Sequence, residues 1–373
     1  MMLIEPIWRL KGSKLHPENR DISIPVDLIR TVAIVLVILL HAAIEPNLTV
    51  DFMSPQGVQL WWTSHAYESF SITCVPLFIM LTGALLLKPS KVEEPIRVFF
   101  QKRWNRIGIP IIFWAVAYFA WRFLVNGEAF SLNAIFQGLL AGPYYHFWFL
   151  YLLIGLYLLT PIIRVITAHA DFRIIKYFLA LWFTGTGILP LLTLYSKISP
   201  QTLWFQETVL ILTGMIGYFI LGAYVTKLKL RTSFLYLILV LSSVLTVIGT
   251  YILIGSIGEK YSQFFLDASS VSVIIGSVAL FLILTSISGK TVENRFPNGN
   301  RVFKLISQNV LPIYLFHIMV LETLQRGYLG FKISVTTINP IIEIPLVTLV
   351  TLLICLAIIV PLKKIPKVKR IIG

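Results

Sequence analysis

The sequence predicts an all-α integral membrane protein with about ten transmembrane helices, and two observations lead to this class. Hydrophobic residues occupy 57% of the 373 positions, while charged residues occupy only 13%, and a soluble domain cannot hide so much apolar surface. The apolar residues also lie in runs of about 20 residues, the length of helix that crosses a bilayer. We therefore expect most of the chain to lie within a membrane.

Ten apolar runs have a suitable length for transmembrane helices, and the loops between them are short. The runs lie near 24–45, 66–87, 107–125, 146–166, 174–195, 204–226, 233–254, 268–288, 303–325 and 341–362. Since no other segment is long enough for a soluble domain, the sequence predicts one membrane domain over 24–362. A cytoplasmic segment, 1–23, precedes it, and a basic cytoplasmic tail, 363–373, follows it. The first run has no cleavage site behind it, so it is expected to act as an uncleaved signal anchor.

The Lys and Arg residues indicate which side of the membrane each loop faces. With the N-terminus in the cytoplasm, most of the 31 basic residues fall in cytoplasmic segments. The exceptions are Lys197, Lys260, Arg326 and Lys332 in outer loops, and Arg122 near an outer helix end. This asymmetry follows the positive-inside rule, so both termini are expected in the cytoplasm and the protein in the cytoplasmic (plasma) membrane. It also explains the net charge of +14 without a nucleic-acid partner.

Within this topology, the ionisable residues of the spans fall at two different depths. The outer half holds His41, His65, His146 and His317, with the carboxylates Glu45, Glu68 and Glu322 at similar depth. The inner face holds Arg30, Arg103 and Arg106. Anion-binding groups and acid–base groups are therefore predicted at opposite ends of the helices.

The first span carries one residue of each kind. Ten residues separate Arg30 from His41, and eleven helical steps bring them within about 20° of one azimuth and about 16 Å apart along the axis. Intramembrane ionisable residues are costly and mark functional sites. His41 is therefore a candidate general base or covalent acyl carrier, or a hydrogen-bonding residue between helices. Asp27 can pair with Arg30, which is either functional or a positive-inside residue with its counter-ion.

A second basic motif, Arg103-Trp104-Asn105-Arg106, lies at the predicted inner mouth of the third span. Residues three apart on a helix point the same way. Two guanidinium groups placed so can clamp a phosphate or a carboxylate. The alternative is an ordinary pair of arginines that marks a cytoplasmic boundary.

Aromatic residues open the fourth span. Tyr144, Tyr145 and Trp148 surround His146 at the predicted outer interface. Tyrosine and tryptophan at that depth are typical membrane anchors, whereas imidazole is not. His146 is therefore the stronger functional candidate in this segment, and the three aromatic residues are interpreted mainly as anchors.

The ninth and second spans carry bend and packing signals. Pro312 predicts a bend in the ninth span, where Tyr314 and His317 lie three apart on one face. In the second span, the small pair Thr82-Gly83 predicts close helix packing.

Taken in order, these motifs resemble those of the acyltransferase-3 family of membrane-bound acyltransferases. The matching segments are Arg30 and His41 with ten residues between them, Val75-Pro76-Leu77-Phe78 with Thr82-Gly83, Arg103-x-x-Arg106, His146-Phe147-Trp148-Phe149-Leu150, and Ile313-Tyr314-Leu315-Phe316-His317. The family includes surface-polysaccharide O-acetyltransferases and the enterobacterial-common-antigen acetyltransferase group. The resemblance covers essentially the whole chain.

The resemblance implies an enzyme that moves an acyl group from cytoplasmic acyl-CoA, usually acetyl-CoA, to a hydroxyl of a surface or lipid-linked saccharide of the cell envelope. It implies His41 as general base or acyl carrier. Arg30, held by Asp27, and the pair Arg103 and Arg106 would position the donor.

Weaker candidates for acceptor binding or proton relay complete the expected site. They are His146, Trp148, His317, Tyr314 and Glu45. No metal is expected, because the spacing of the outer histidines gives no zinc-ligand signature. The expected partners are acyl-CoA, a saccharide or lipid-linked glycan and membrane lipids, and homo-oligomerisation is left open.

The competing class is a transporter that exports a saccharide or small metabolite without chemistry. Intramembrane ionisable residues and broken helices also mark transporters. The sequence shows no repeat of short, glycine-interrupted spans in two halves, which favours the enzyme.

Overall fold

A computed structural model describes residues 25–44, 54–195, 214–226, 228, 230–257, 263–287, 297–334, 336–337 and 339–373. These residues form helices joined by turns and contain no β-strand, which confirms the predicted all-α class. The predicted N-terminal segment 1–23 and Glu45 lie outside the described residues.

The helices of the described residues are numbered α1 to α16. In chain order they are α1 (Val26–Ala43), α2 (Pro55–Ser71), α3 (Cys74–Leu86), α4 (Ile96–Arg103), α5 (Ile109–Ala120), α6 (Leu132–Ala141), α7 (Trp148–His169), α8 (Phe172–Phe183), α9 (Leu189–Tyr195), α10 (Gly214–Val225), α11 (Thr232–Ile257), α12 (Val271–Ser286), α13 (Pro297–Gln308), α14 (Val310–Gln325), α15 (Pro340–Leu362) and α16 (Pro366–Ile372). Wider π-helical turns at Trp104–Gly108, Trp121–Val125 and Thr184–Ile188 interrupt or end several of them.

Among the described residues, seven helical segments are long and apolar enough to cross a membrane. They are Val26–Ala43, Pro55–Leu86, Ile96–Val125, Leu132–His169, Phe172–Leu192, Thr232–Ser256 and Pro340–Leu362. The bent pair of α13 and α14 makes an eighth span if it is counted as one, and the shorter apolar helices α10 and α12 occupy two further predicted runs. Each of the ten predicted runs therefore contains a helix, and the chain is a multi-pass integral membrane protein.

The second span begins earlier than the hydropathy pattern predicted. It starts at Pro55 instead of near residue 66. The Ser54 hydroxyl accepts a hydrogen bond of 3.0 Å from the Gly57 N–H, and proline is favoured at the first helical position. Since the first turns of α2 are polar, an apolar-run criterion cannot detect them.

The predicted bend in the ninth span is present. The axes of α13 and α14 meet at 80°, with Asn309 between them outside helical geometry. Pro312 follows in the first turn of α14, where its missing N–H costs nothing. The Asn309 side chain donates to the Leu305 carbonyl at 2.7 Å and so satisfies one of the carbonyls that the break leaves free.

Helix α1 lies in the middle of the bundle. It packs against α2, α3, α13, α14 and α15, and the Thr31 hydroxyl donates to the Phe303 carbonyl at 3.0 Å. Arg30 and His41 are both half-buried on this helix. Because neighbours surround α1, the two ionisable side chains face protein at opposite ends of the same helix.

Helices α3 and α10 touch through their backbones. A Cβ atom on Gly83 would lie 1.8 Å from the Phe219 carbonyl oxygen, and one on Gly222 would lie 2.0 Å from the Met80 carbonyl oxygen. Close packing was predicted for Gly83, and the structure confirms it. Small residues permit this kind of approach between membrane helices.

This contact gives a first testable prediction. Gly83→Ala should lower the melting temperature of detergent-purified protein, because the new methyl group meets a backbone oxygen that cannot rotate away, and overpacking costs about 1–3 kcal/mol. Gly155→Ala is the matched control, since nothing lies within 4 Å of a Cβ at Gly155. Equal melting temperatures for the two variants would contradict the contact.

Candidate active site

Three histidines from three different helices meet near one end of α1. The ring centroids of His41 and His317 are 5.3 Å apart, and those of His146 and His317 are 5.6 Å apart. His146 and His317 are fully buried, and His41 is half-buried. We call these three residues the imidazole cluster. The sequence predicted them at one depth, and the structure brings them together.

Backbone contacts hold two members of the imidazole cluster in place. The Tyr314 hydroxyl donates to the His146 carbonyl at 2.5 Å, and Nδ1 of His317 lies 2.6 Å from the Tyr314 carbonyl. Tyr314 therefore ties α14 to the start of α7. Within the described ranges, neither ring nitrogen of His146, nor Nε2 of His317, has a hydrogen-bond partner, and all three atoms are buried. Buried polar atoms are normally satisfied, so the imidazole cluster departs from this rule at three atoms.

Tyr145 belongs to the same site, although the sequence favoured a membrane anchor. Its ring lies 5.4 Å from the His41 ring in an edge-to-face arrangement. The reason is a short 3-10 turn, Tyr145–Phe147, that begins α7 after Gly142, whose φ is +109°. A φ of this sign favours glycine. Hydropathy alone carries no signal for this turn.

A carboxylate stabilises the neighbouring turn. Glu322 is buried and accepts hydrogen bonds from Trp121 Nε1 at 2.7 Å, from the Tyr144 hydroxyl, and from Arg326 at 3.0 Å. These donors come from the end of α5, the turn before α7 and the end of α14. The carboxylate thereby fixes the turn that carries Tyr145 and His146. The sequence placed Glu322 at the right depth but could not identify these partners.

The remaining outer candidates lie elsewhere. The Trp148 ring is 46% exposed and contacts Phe149 at 6.2 Å, so the structure does not bring it against the imidazole cluster. His65 stacks on Trp61 at 4.1 Å. Glu68 is buried within α2. In the described part of the chain, no three His, Cys, Asp or Glu side chains are placed to hold a metal ion.

The three arginines converge at the other end of α1. Arg30, Arg103 and Arg106 all lie close enough to the Tyr157 hydroxyl of α7 for their charges to interact with it. The Arg103 guanidinium lies 5.9 Å from the centroid of the Tyr157 ring. Arg106 lies in the π-helical turn Trp104–Gly108. We call these four residues the arginine cluster. Tyr157, which the sequence did not single out, is the residue they share.

Positive charge exceeds negative charge around the arginine cluster. Burial and the charges of Lys369 and Arg106 lower the pKa of Lys363, which shows that Lys363 adds to the same positive field. Asp27 lies close enough to Arg30 for their charges to interact. The two residues are not among the ion pairs of the described residues, which have nitrogen–oxygen distances of 4.0 Å or less. Asp27 occupies the first turn of α1, where a carboxylate also interacts with the helix dipole.

A buried arginine, Arg164, contacts a ring that also contacts the arginine cluster. Arg164 of α7 is 3% exposed, donates to the Leu86 carbonyl at 2.7 Å and pairs with Glu94 at 3.0 Å. The Phe99 ring lies 4.6 Å from the Arg164 guanidinium and 4.1 Å from that of Arg103. Such cation–π contacts favour one position of the ring and the guanidinium. Arg164 thus stabilises the segment before α4. Through Phe99, it also holds Arg103 at the start of the Arg103-Trp104-Asn105-Arg106 motif.

The Arg164–Glu94 pair gives a second prediction. Arg164→Met should destabilise the protein by about 3 kcal/mol, because it removes the guanidinium that donates to the Leu86 carbonyl and pairs with Glu94, and hydrogen bonds to charged groups contribute about 1.5–3 kcal/mol each. Hydrogen bonds from Lys102 and Arg164 lower the pKa of Glu94, so its stabilising contribution is present above the unfolded pKa and is lost as the pH falls through the folded one. We expect no change in melting temperature from this group between about pH 5 and 8, and a decline below about pH 4.3.

The control for this prediction is the neighbouring carboxylate. Glu94→Gln should remove part of the acid-induced decline in melting temperature, whereas Glu93→Gln, at an exposed position, should retain all of it. An identical acid profile in both variants would show that Glu94 does not contribute.

Fold and site together define a multi-pass membrane protein with a cationic end and an imidazole end on one central helix. A family model described as an acyltransferase domain, Acyl_transf_3, matches residues 25–360. The chain therefore belongs to this family of membrane acyltransferases. No curated protein and no solved structure matches the chain.

Proposed function

We propose that the protein transfers an acyl group, in its simplest form acetyl, from acyl-CoA to a hydroxyl of a surface or lipid-linked saccharide. The observation that carries this proposal is that the two ends of α1 contribute to different clusters. Arg30 belongs to the arginine cluster, and His41 belongs to the imidazole cluster. Membrane acyltransferase activity follows from the family. The donor, the acyl group and the acceptor are the proposed parts.

The arginine cluster suits the anionic end of the donor. Coenzyme A carries several phosphate groups, and guanidinium groups bind phosphate through parallel, charge-assisted hydrogen bonds. Arg30, Arg103 and Arg106 would supply them, in a field already rich in positive charge. The rise of about 16 Å between Arg30 and His41 is a length that an extended pantetheine arm would span.

His41 would perform the chemistry at the other end of that arm. A bare imidazole nitrogen takes the proton of the acceptor hydroxyl as its oxygen attacks the thioester carbonyl carbon. The new carbon–oxygen bond forms, the carbon–sulfur bond breaks, and the thiolate leaves. The imidazolium then returns the proton to the thiolate, giving an ester and free coenzyme A. A covalent acyl-imidazole intermediate would give the same products in two steps.

The acceptor would bind at the imidazole cluster. The buried, unpaired nitrogens of His146 and His317 suit a ligand with several hydroxyl groups. Tyr314 and Tyr145 border the same site. The orientation predicted from the positive-inside rule would put this end outside and the arginine cluster at the cytoplasmic side. This orientation gives each substrate access from the side where it would be found.

The proposal is tested with sealed vesicles of the cytoplasmic membrane and acetyl-CoA labelled in the acetyl group. Inside-out vesicles that contain the protein should move label onto saccharide, and right-side-out vesicles should not, because coenzyme A does not cross the membrane. Movement of unmodified saccharide across the vesicle membrane would instead support the transporter. Absence of label transfer in inside-out vesicles with acyl-CoA and saccharide present would overturn the proposal.

A further inference from the structure

The protonation pattern of His317 is fixed by its own helix. Its Nδ1 lies 2.6 Å from the Tyr314 carbonyl oxygen. A carbonyl oxygen only accepts hydrogen bonds, so Nδ1 carries the hydrogen and donates it. In the neutral ring, Nε2 then has a lone pair and no hydrogen. The backbone thereby determines the tautomer of His317.

Nε2 of His317 needs a hydrogen-bond donor. The atom is buried and has no partner among the residues that the structure describes, and an unpaired buried acceptor costs about 1–3 kcal/mol. The nearest imidazole is His41, with ring centroids 5.3 Å apart and planes at 39°. Two imidazoles joined by an N–H···N bond of about 2.9 Å have centroids about 5 Å apart, so the spacing of the His41 and His317 rings fits such a bond.

His146 is less suitable as the donor. Its ring centroid lies 5.6 Å from that of His317, compared with 5.3 Å for His41. His41 is therefore the closer of the two imidazoles.

We propose that His317 is a positioning residue for His41. Its bare Nε2 accepts the N–H of His41, which holds His41 in a single neutral tautomer with the opposite nitrogen free to take the proton of the acceptor. His317 itself neither gains nor loses a proton. The Tyr314 carbonyl and His317 together would fix the tautomer and orientation of His41, which is one of the two roles of the carboxylate beside the general-base histidine of hydrolases. The catalytic consequence rests on the proposed function, because it assumes that His41 is the base.

The tautomer of His41 tests this proposal without any substrate. Protein labelled with 15N-histidine is purified, and the His41 signals are identified by their loss in His41→Ala. In the wild type we expect one dominant neutral tautomer of His41. In His317→Leu we expect a mixture of the two tautomers. An unchanged His41 spectrum, or a change confined to His146, would overturn the proposal.

Kinetics supply a second, independent measure. His317→Leu should lower kcat about 100-fold while the KM for acyl-CoA stays within about twofold. His317→Gln should retain activity within about tenfold of the wild type, because its amide oxygen can accept near the position of Nε2. Equal losses in Leu and Gln variants would indicate a packing role only.

His169→Leu is the matched control. Like His317, His169 has its Nδ1 close to a backbone carbonyl, that of Val165 at 2.9 Å. Its ring is exposed, so the substitution should change neither kcat nor the His41 spectrum. If the wild type transfers no acyl group at all, the proposed function fails while the tautomer measurement still decides the role of His317.

Discussion

His41→Ala should abolish acyl transfer while leaving the protein folded and inserted. The imidazole is the candidate base at the centre of the cluster, and loss of a general base typically costs about 10²- to 10⁴-fold in rate. The effect should fall on kcat, because His41 lies about 16 Å along the helix from the residues proposed to bind the donor. The measurement is label transfer from acetyl-CoA in inside-out vesicles at saturating donor.

Two controls separate chemistry from folding in this experiment. His169→Ala removes an exposed imidazole and should transfer label at the wild-type rate. The melting temperature of His41→Ala should fall only slightly, because the half-buried ring loses only the single hydrogen bond proposed to His317. Undiminished label transfer by His41→Ala would exclude this histidine as the reacting group.

The combined substitution Arg103→Gln and Arg106→Gln should raise the KM for acyl-CoA strongly. Hydrogen bonds to charged groups contribute about 1.5–3 kcal/mol each, so the loss of even one corresponds to roughly a 10- to 150-fold weaker donor affinity. The value of kcat should change little once donor is saturating, because these residues bind the phosphates and do not touch the thioester.

Arg97→Gln is the matched control for this prediction. Arg97 lies on α4, as Arg103 does, but it is exposed and should leave the KM unchanged. The single substitution Arg106→Gln separates donor binding from structural damage. Arg106 is exposed, and its loss should not disturb Phe99. If all three variants showed the wild-type KM, the arginine cluster would not be the donor site.

Much of the fold could be predicted because a bilayer imposes a simple length and polarity rule. Every predicted run contains a helix, and the bend near Pro312 and the close contact at Gly83 followed from single residues. The early start of α2 at Pro55 did not follow, because its first turns are polar and are stabilised by the Ser54 cap. Local capping outside an apolar run has no hydropathy signal.

The site was predictable only where one helix carried both groups. The spacing of Arg30 and His41 fixes their shared face through helix geometry alone. The partners from other helices, Tyr157 and Arg164, depend on how α7 packs against α1 and α4. Tyr145 was interpreted mainly as an anchor, because sequence does not show that one side of this half-exposed ring contacts His41.

The central claim is that the arginine cluster binds the donor and His41 performs the chemistry. Equilibrium binding of labelled acyl-CoA to two purified variants tests this claim most directly. The account predicts that His41→Ala binds acyl-CoA with wild-type affinity although it transfers nothing. It also predicts that the Arg103→Gln and Arg106→Gln protein binds at least about tenfold more weakly. Weak donor binding by His41→Ala together with wild-type binding by the arginine variant would contradict it.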